Sequence, residues 1–89
     1  MLSLPVELTH GQAKGCLAQL VAGLEAETAS SVVVNATALE RFDSSALAVL
    51  LELRRVSMRG GKALVVQGQP LHLSDLAALY GIDGLLPAS

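Results

Sequence analysis

Short apolar runs alternate along this chain with longer segments that have helical periodicity. Residues 32–34 (VVV) and 63–66 (ALVV) have the length and the branched side chains of buried strands, and residues 2–8 alternate between apolar and polar side chains. We expect the 32–34 strand to be central and covered on both faces. Because strands that alternate with helices form βαβ units with right-handed crossovers, the order predicts an α/β sandwich. It should contain a mixed, mostly parallel sheet of three or four strands together with three helices.

Capping signals mark the ends of the predicted helices. Thr9 and Gln12 have the spacing of a capping box, so we expect the first helix to start there and to end around residue 27. The second helix should run from about residue 44 to residue 58, ahead of two glycines, and a third should follow Pro70. The inward residues predicted for the third helix are Leu73, Leu76, Ala77 and Tyr80, with Gly81 as its C-terminal cap.

The composition limits the kinds of partner. The chain has 89 residues and a net charge of -2, and neither sign forms a long run, so we expect no nucleic-acid partner. No apolar stretch approaches the roughly 18 to 20 residues that cross a bilayer, and the start lacks the features of a leader peptide, which favours a soluble cytoplasmic protein. The only cysteine, Cys16, allows no internal disulfide. No linker or repeat divides the chain, so residues 1–89 should form one domain.

Residues 43–47 (DSSAL) lie where the loop after the second strand becomes the second helix. Asp43 or Ser44 can cap this helix by accepting a hydrogen bond from an N–H group of its first turn. Capping alone therefore explains these residue types in structural terms. A functional interpretation is also open, and it depends on a family resemblance.

The segment VVVNATALERFDSSALAVLLEL, residues 32–53, resembles the core of STAS domains, the sulfate transporter and anti-sigma-factor antagonist family. The similarity extends over residues 6–87. In that family the hydroxyl residue directly after the Asp is a phosphorylation or contact site, so the resemblance implies this role for Ser44. Family members usually have Gly at the position of Ala46, and the small alanine keeps the helix start accessible.

Residues 76–82 (LAALYGI), with a quick ending at residues 85–87 (LLP), are similar to MlaB-type STAS proteins, the small cytoplasmic subunits of the Mla phospholipid-transport ABC complex. The resemblance implies a non-enzymatic accessory subunit that binds the cytoplasmic ATPase and stabilises or regulates it. The permease would be reached only indirectly, which puts the protein at the periphery of the inner membrane. The alternative is an anti-sigma-factor antagonist in partner-switching signalling, controlled by phosphorylation of Ser44. A phosphate there would be accommodated by the helix start and would repel an acidic or apolar partner.

Pro5 affects the first predicted strand, because it has no N–H group for a sheet ladder and so favours an edge position. STAS domains normally begin with a further strand, and the resemblance implies that this N-terminal strand of the family is missing here. An exposed strand edge can pair with another copy of the chain. A homodimer is therefore a further expected partnership.

The second predicted helix has a core-facing stripe and further apolar residues beside it. The stripe consists of Ala46, Val49, Leu50, Leu53 and Val56. Leu47 and Leu51 either widen the core contact or form an exposed partner surface beside Ser44, and Arg54 and Arg55 would lie at the rim of that surface. A hydrophobic fraction of 52% in so small a chain favours an exposed apolar patch. The candidate partner-binding residues are therefore Asp43, Ser44, Ser45, Ala46, Leu47, Leu51, Arg54 and Arg55.

The chain lacks the residue patterns of an active site. His10 and His72 are the only histidines and lie at different helix starts, and no Cys or carboxylate spacing resembles a zinc site. Ser44 has no sequence-evident His–Asp pair, and the glycines do not form a phosphate-binding loop. We therefore expect no catalytic residue, no metal and no cofactor.

Overall fold

The computed structural model describes residues 2–82, and its elements follow the predicted alternation. The strands are β1 (Leu2–Ser3), β2 (Glu7–Leu8), β3 (Ser31–Asn35), β4 (Arg41–Phe42) and β5 (Ala63–Gln67). The helices are α1 (His10–Ala26), α2 (Ser44–Arg59) and α3 (Leu71–Leu79). The predicted α/β class, with three helices and a mostly parallel sheet, is confirmed, and every strand pairing within the described residues is parallel. Residues 85–87, which contribute to the family resemblance, lie outside the described residues.

The strand predicted over residues 2–8 is split into two short strands that pair with different neighbours. β1 lies at the edge of a three-stranded sheet of order β1-β3-β5, whereas β2 pairs with β4. The Leu4 N–H group still donates to the Asn35 carbonyl at 2.9 Å, and the Val6 carbonyl accepts from the N–H group of Arg41 at 3.0 Å. Pro5 lies between these two bonds and has no N–H group to continue the ladder. The edge position that Pro5 predicted is therefore observed.

One face of the three-stranded sheet carries most of the core. Val32 and Val34 on β3, and Val66 on β5, are almost fully buried, whereas Val33 on the other face is only half-buried. The expectation that residues 32–34 form a central strand is therefore confirmed, whereas the second face of that strand is covered only in part. The reason is the placement of the helices, because α1 and α2 pack against each other and against β1 and β5. The core combines this sheet face with the apolar sides of the helices.

The predicted helix ends are confirmed at α1 and α3. Thr9 and Gln12 form the capping box, in which the Gln12 side chain accepts from the Thr9 N–H group at 3.1 Å. At α3, Gly81 has a φ of 71°, and the Ile82 N–H group donates to the Ala77 carbonyl at 3.0 Å. This is the geometry of a Schellman cap, which needs a residue that tolerates a positive φ.

The inward face of α3 is only partly as predicted. Leu73 and Ala77 are buried and Leu76 is half-buried, but Tyr80 is 58% exposed. The prediction that Tyr80 points inward is therefore wrong. α3 ends at Leu79, so Tyr80 belongs to the capping turn and does not continue the helical stripe.

The C-terminal ends of α1 and α2 are joined by Lys62. The Lys62 ammonium donates to the carbonyls of Leu24, at 2.7 Å, and Glu27, at 2.6 Å, both at the end of α1. The Lys62 carbonyl accepts from the buried hydroxyl of Ser57 on α2 at 2.7 Å, and the Lys62 N–H group donates to the Ser57 carbonyl at 2.9 Å. One residue therefore satisfies polar groups of both helix ends. Among residues 2–82, no helix combines the length and the hydrophobicity needed to cross a membrane.

Candidate docking site at the start of the second helix

Asp43 caps α2 and also contacts α1. One carboxylate oxygen accepts from the Ser45 N–H group at 2.8 Å, and the other accepts from the His10 N–H group at 3.2 Å. The hydrogen bond from the Ser45 N–H group is the main cause that lowers the pKa of Asp43, with smaller contributions from His10. The ionised carboxylate therefore holds the N-terminal ends of two helices together.

Ser44 is the first residue of α2 and is exposed. Of the two capping residues left open by the sequence, Asp43 performs the capping, and the Ser44 side chain makes no hydrogen bond with another residue in the 2–82 range. Ser45 is half-buried beside it. Capping thus accounts for Asp43 but gives no structural reason for a hydroxyl group at Ser44.

Two of the predicted partner-binding residues belong to the core. Ala46 is fully buried and Leu47 is only 3% exposed, because the apolar face of α2 is broad enough to include both positions. Of the two alternatives for Leu47, the wider core contact is therefore observed and the exposed partner surface is not, and Ala46 is not accessible to a partner. Leu51 is half-buried at the border of this face. It packs against the core while part of its surface remains accessible.

A shallow groove with a volume of about 370 Å³ opens directly beside Ser44. Its lining residues are Ser44, Leu47, Ala48, Leu51, Tyr80 and Ile82. α2 therefore forms one wall, and the residues that follow α3 form the other. Sequence reasoning missed Ala48, Tyr80 and Ile82. The four-residue spacing from Ser44 could have indicated Ala48, but nothing in the sequence pattern brings Tyr80 to the same groove.

The two arginines at the predicted rim differ in their local partners. The Arg55 guanidinium binds the Glu52 carboxylate on the same helix through two hydrogen bonds, one of them at 2.9 Å. This contact raises the pKa of Arg55 and lowers the pKa of Glu52. Arg54 is half-buried and has no carboxylate partner within the described part of the chain. It is therefore the rim arginine available for a partner's carboxylate.

The histidines lie apart from one another. The ring of His72 contacts the ring of Phe42 edge-on, with 5.9 Å between the ring centroids. His10 instead donates its backbone N–H group to the Asp43 carboxylate. Within residues 2–82, no three His, Cys, Asp or Glu side chains gather in a way that could hold a metal ion. The groove beside Ser44 is thus lined by apolar and hydroxyl side chains.

Comparison with known proteins supports the family resemblance. No match was found among curated proteins. Residues 1–87 match a family model described as "Mlab, STAS domain". STAS domains are generally binding or regulatory domains and not enzymes. The match covers nearly the whole chain and includes the groove, so this protein belongs to the MlaB-type STAS domain family.

Proposed function

We propose that this STAS domain is an accessory subunit that binds the cytoplasmic ATPase of a phospholipid-transport ABC complex and stabilises or regulates it. The observation that carries the proposal is the exposed Ser44 at the start of α2, next to an apolar groove. A hydroxyl group that does not cap its helix, beside apolar surface, has the chemistry of a contact site. The MlaB-type family match is what directs the proposal to a lipid-transport ATPase.

Ser44 also gives the proposed contact a means of control. A phosphate on Ser44 would lie at the N-terminal end of α2, where the helix dipole favours negative charge. It would add roughly 1.5 to 2 negative charges next to Asp43 and to the groove. A partner that binds through apolar or acidic groups would then be repelled.

In this proposal the subunit is cytoplasmic and reaches the inner membrane through the ATPase, with the permease contacted only indirectly. The edge of the sheet at β1 is a second surface for protein contact, where another copy of the chain could add a strand. The resulting homodimer would have twice the mass of the 9.2 kDa chain, which light scattering measures directly.

An anti-sigma-factor antagonist is the second candidate function. It is favoured by the position of Ser44 directly after Asp43, at an exposed helix start that a kinase can reach. In that case a kinase-like anti-sigma factor, and not an ATPase, would occupy the surface. The two candidates use the same surface, so identification of the bound protein separates them.

Affinity purification from the native host tests the proposal. The tagged chain should retain an ABC ATPase at a stable stoichiometry, and a permease should appear only when the membrane complex is solubilised intact. Genes for an ATPase, a permease and a periplasmic lipid-binding protein should lie beside its own gene. Recovery of a histidine-kinase-like protein, with no ATPase, would contradict the first candidate and favour the second.

A further inference from the structure

We infer that the groove beside Ser44 binds an amphipathic helix of the partner, with Tyr80 as a contact residue and Arg54 as the site for a partner carboxylate. This inference rests on the proposed function for the location of the surface, and it adds the chemistry of what binds there. It also assigns a binding role to the end of α3, which the family motif around Ser44 does not include.

The walls of the groove have the composition of a protein contact. Ala48 and Leu51 supply an aliphatic floor, and Tyr80, 58% exposed, supplies an aromatic wall. Tyrosine is enriched among the residues that dominate binding energy, because its ring buries a large area with few rotatable bonds. An exposed tyrosine next to an aliphatic floor therefore fits an aliphatic side chain inserted between α2 and the end of α3.

The length of the surface fits a helical segment. From Ser44 to Arg54 the α2 axis advances about 15 Å, at roughly 1.5 Å per residue. This span corresponds to about three helical turns, which is the usual length of an amphipathic helix that docks through residues at i, i+3 or i+4, and i+7. A partner helix lying along α2 would therefore pass from the Ser44 hydroxyl to the Arg54 guanidinium.

The charge of Arg54 indicates which kind of residue the bound helix carries at one end. Arg54 lies three residues beyond Leu51 and so on the same side of α2, and it has no carboxylate partner among the residues described. The nearby carboxylates are already engaged, because Asp43 accepts from two N–H groups and Glu52 binds Arg55. Among the described residues of this surface, a second copy of the chain would therefore bring no free carboxylate. We therefore assign the acidic group to a different protein, at the end of its helix that lies over Arg54.

Site-specific photo-crosslinking in the native host tests this inference. p-Benzoylphenylalanine replaces Tyr80 in one variant and Leu79 in the control. Leu79 is adjacent to Tyr80 in the chain and is 79% exposed, but it does not line the groove. The peptide captured at position 80 is then sequenced by mass spectrometry. We expect a single segment with aliphatic residues at helical spacing and an acidic residue one to two turns away, and at least fivefold less of it from the control. Capture of a peptide from this same chain, of lipid, or of a segment without that pattern would overturn the inference.

The same experiment keeps the two proposals apart. A captured amphipathic, acidic segment from a protein other than an ABC ATPase would contradict the proposed function and support the groove inference. An ATPase segment without acidic residues would support the proposed function and contradict the groove inference.

Charge reversal supplies the second test, with the captured protein as the probe. Arg54→Glu should weaken its binding by about tenfold or more, and replacing the partner's acidic residue with Lys should restore it. Arg55→Glu, on the same helix turn but at a residue paired with Glu52, should weaken binding by less than about threefold. Equal losses for the two arginine variants, or no rescue, would overturn the assignment of Arg54.

Discussion

The two ends of α2 are built in opposite ways. At the C-terminal end the Lys62 carbonyl accepts from the buried Ser57 hydroxyl, the Lys62 N–H group donates to the Ser57 carbonyl, and the Lys62 ammonium donates to carbonyls of α1 and its C-terminal cap. At the N-terminal end Asp43 provides the cap through exposed bonds, and Ser44 is exposed. One end therefore fixes the packing of two helices, whereas the other holds a polar group at the surface in a defined position.

This difference indicates which residues can change without loss of the fold. Residues at the C-terminal end should affect the free energy of unfolding, and exposed residues at the N-terminal end should affect binding. Ala46 and Leu47 are the exceptions at the N-terminal end, because both lie within the core.

The largest effect on stability is expected for Leu47, the larger of these two buried side chains. Leu47→Ala should lower the free energy of unfolding by about 3 kcal/mol, because it removes a buried leucine and leaves a cavity. Leu51→Ala, at a half-buried position, should cost about 1 kcal/mol and should weaken partner binding more than stability. Urea denaturation followed by circular dichroism measures both. A larger loss for Leu51 than for Leu47 would contradict the division between core and groove.

The next effect concerns the bonded C-terminal end. Lys62→Met keeps much of the aliphatic stem but removes the hydrogen bonds to the carbonyls of Leu24 and Glu27, and should cost about 2 kcal/mol. Arg59→Met removes the same charge from the exposed last turn of α2 and should change stability by less than about 0.5 kcal/mol. Equal losses in urea denaturation would mean that the charge matters and the two hydrogen bonds do not.

The turn after α2 should show a smaller, conformational effect. Gly61 has a φ of 73°, and a Cβ atom there would meet no other atom within 4 Å, so Gly61→Ala should cost about 1 kcal/mol through backbone strain alone. Gly60 has a φ of -85°, which alanine adopts easily. Gly60→Ala should therefore leave the melting temperature nearly unchanged, and a drop equal to that of Gly61→Ala would contradict this account.

The N-terminal end should show the smallest effect on stability and a particular pH dependence. The folded state lowers the pKa of Asp43 below its ordinary value of 3.8, so the folded chain binds fewer protons than the unfolded chain. The stabilisation is present above pH 3.8 and is lost as the pH falls through the lowered pKa. Asp43→Asn should flatten the decline in melting temperature below pH 4, as scanning calorimetry would show. Parallel curves for the two proteins would mean that the Asp43 bonds contribute nothing.

Local patterns in the sequence predicted the helix caps and the order of elements, because the residues that decide them are neighbours in the chain. Thr9 with Gln12, and Gly81 after α3, are examples. The contacts between helix ends were not predictable in this way. Lys62 and Leu24 are 38 residues apart, and Asp43 and His10 are 33 apart, so no spacing rule connects them.

The candidate site was predictable only where it depends on residues that are neighbours in the chain. The start of α2 and the position of Ser44 follow from the capping residue Asp43 and from the family resemblance. The groove depends on Tyr80, whose exposure is decided by where α3 ends. The apolar periodicity of α3, extended by one residue beyond the end of the helix, predicted that Tyr80 lies in the core. The burial of Leu47 likewise depends on the width of the helix face that the neighbouring elements cover.

The central claim is that the exposed Ser44 end of α2 is the docking surface of this domain, and two substitutions at Ser44 test it most directly. Ser44→Ala and Ser44→Glu are compared for affinity toward the partner recovered from the host, with melting temperatures as the check on folding. Ser44→Ala should bind as the unmodified protein does, and Ser44→Glu should bind at least tenfold more weakly, because its charge lies beside Asp43 and the groove. Equal affinities for the two variants would contradict the claim.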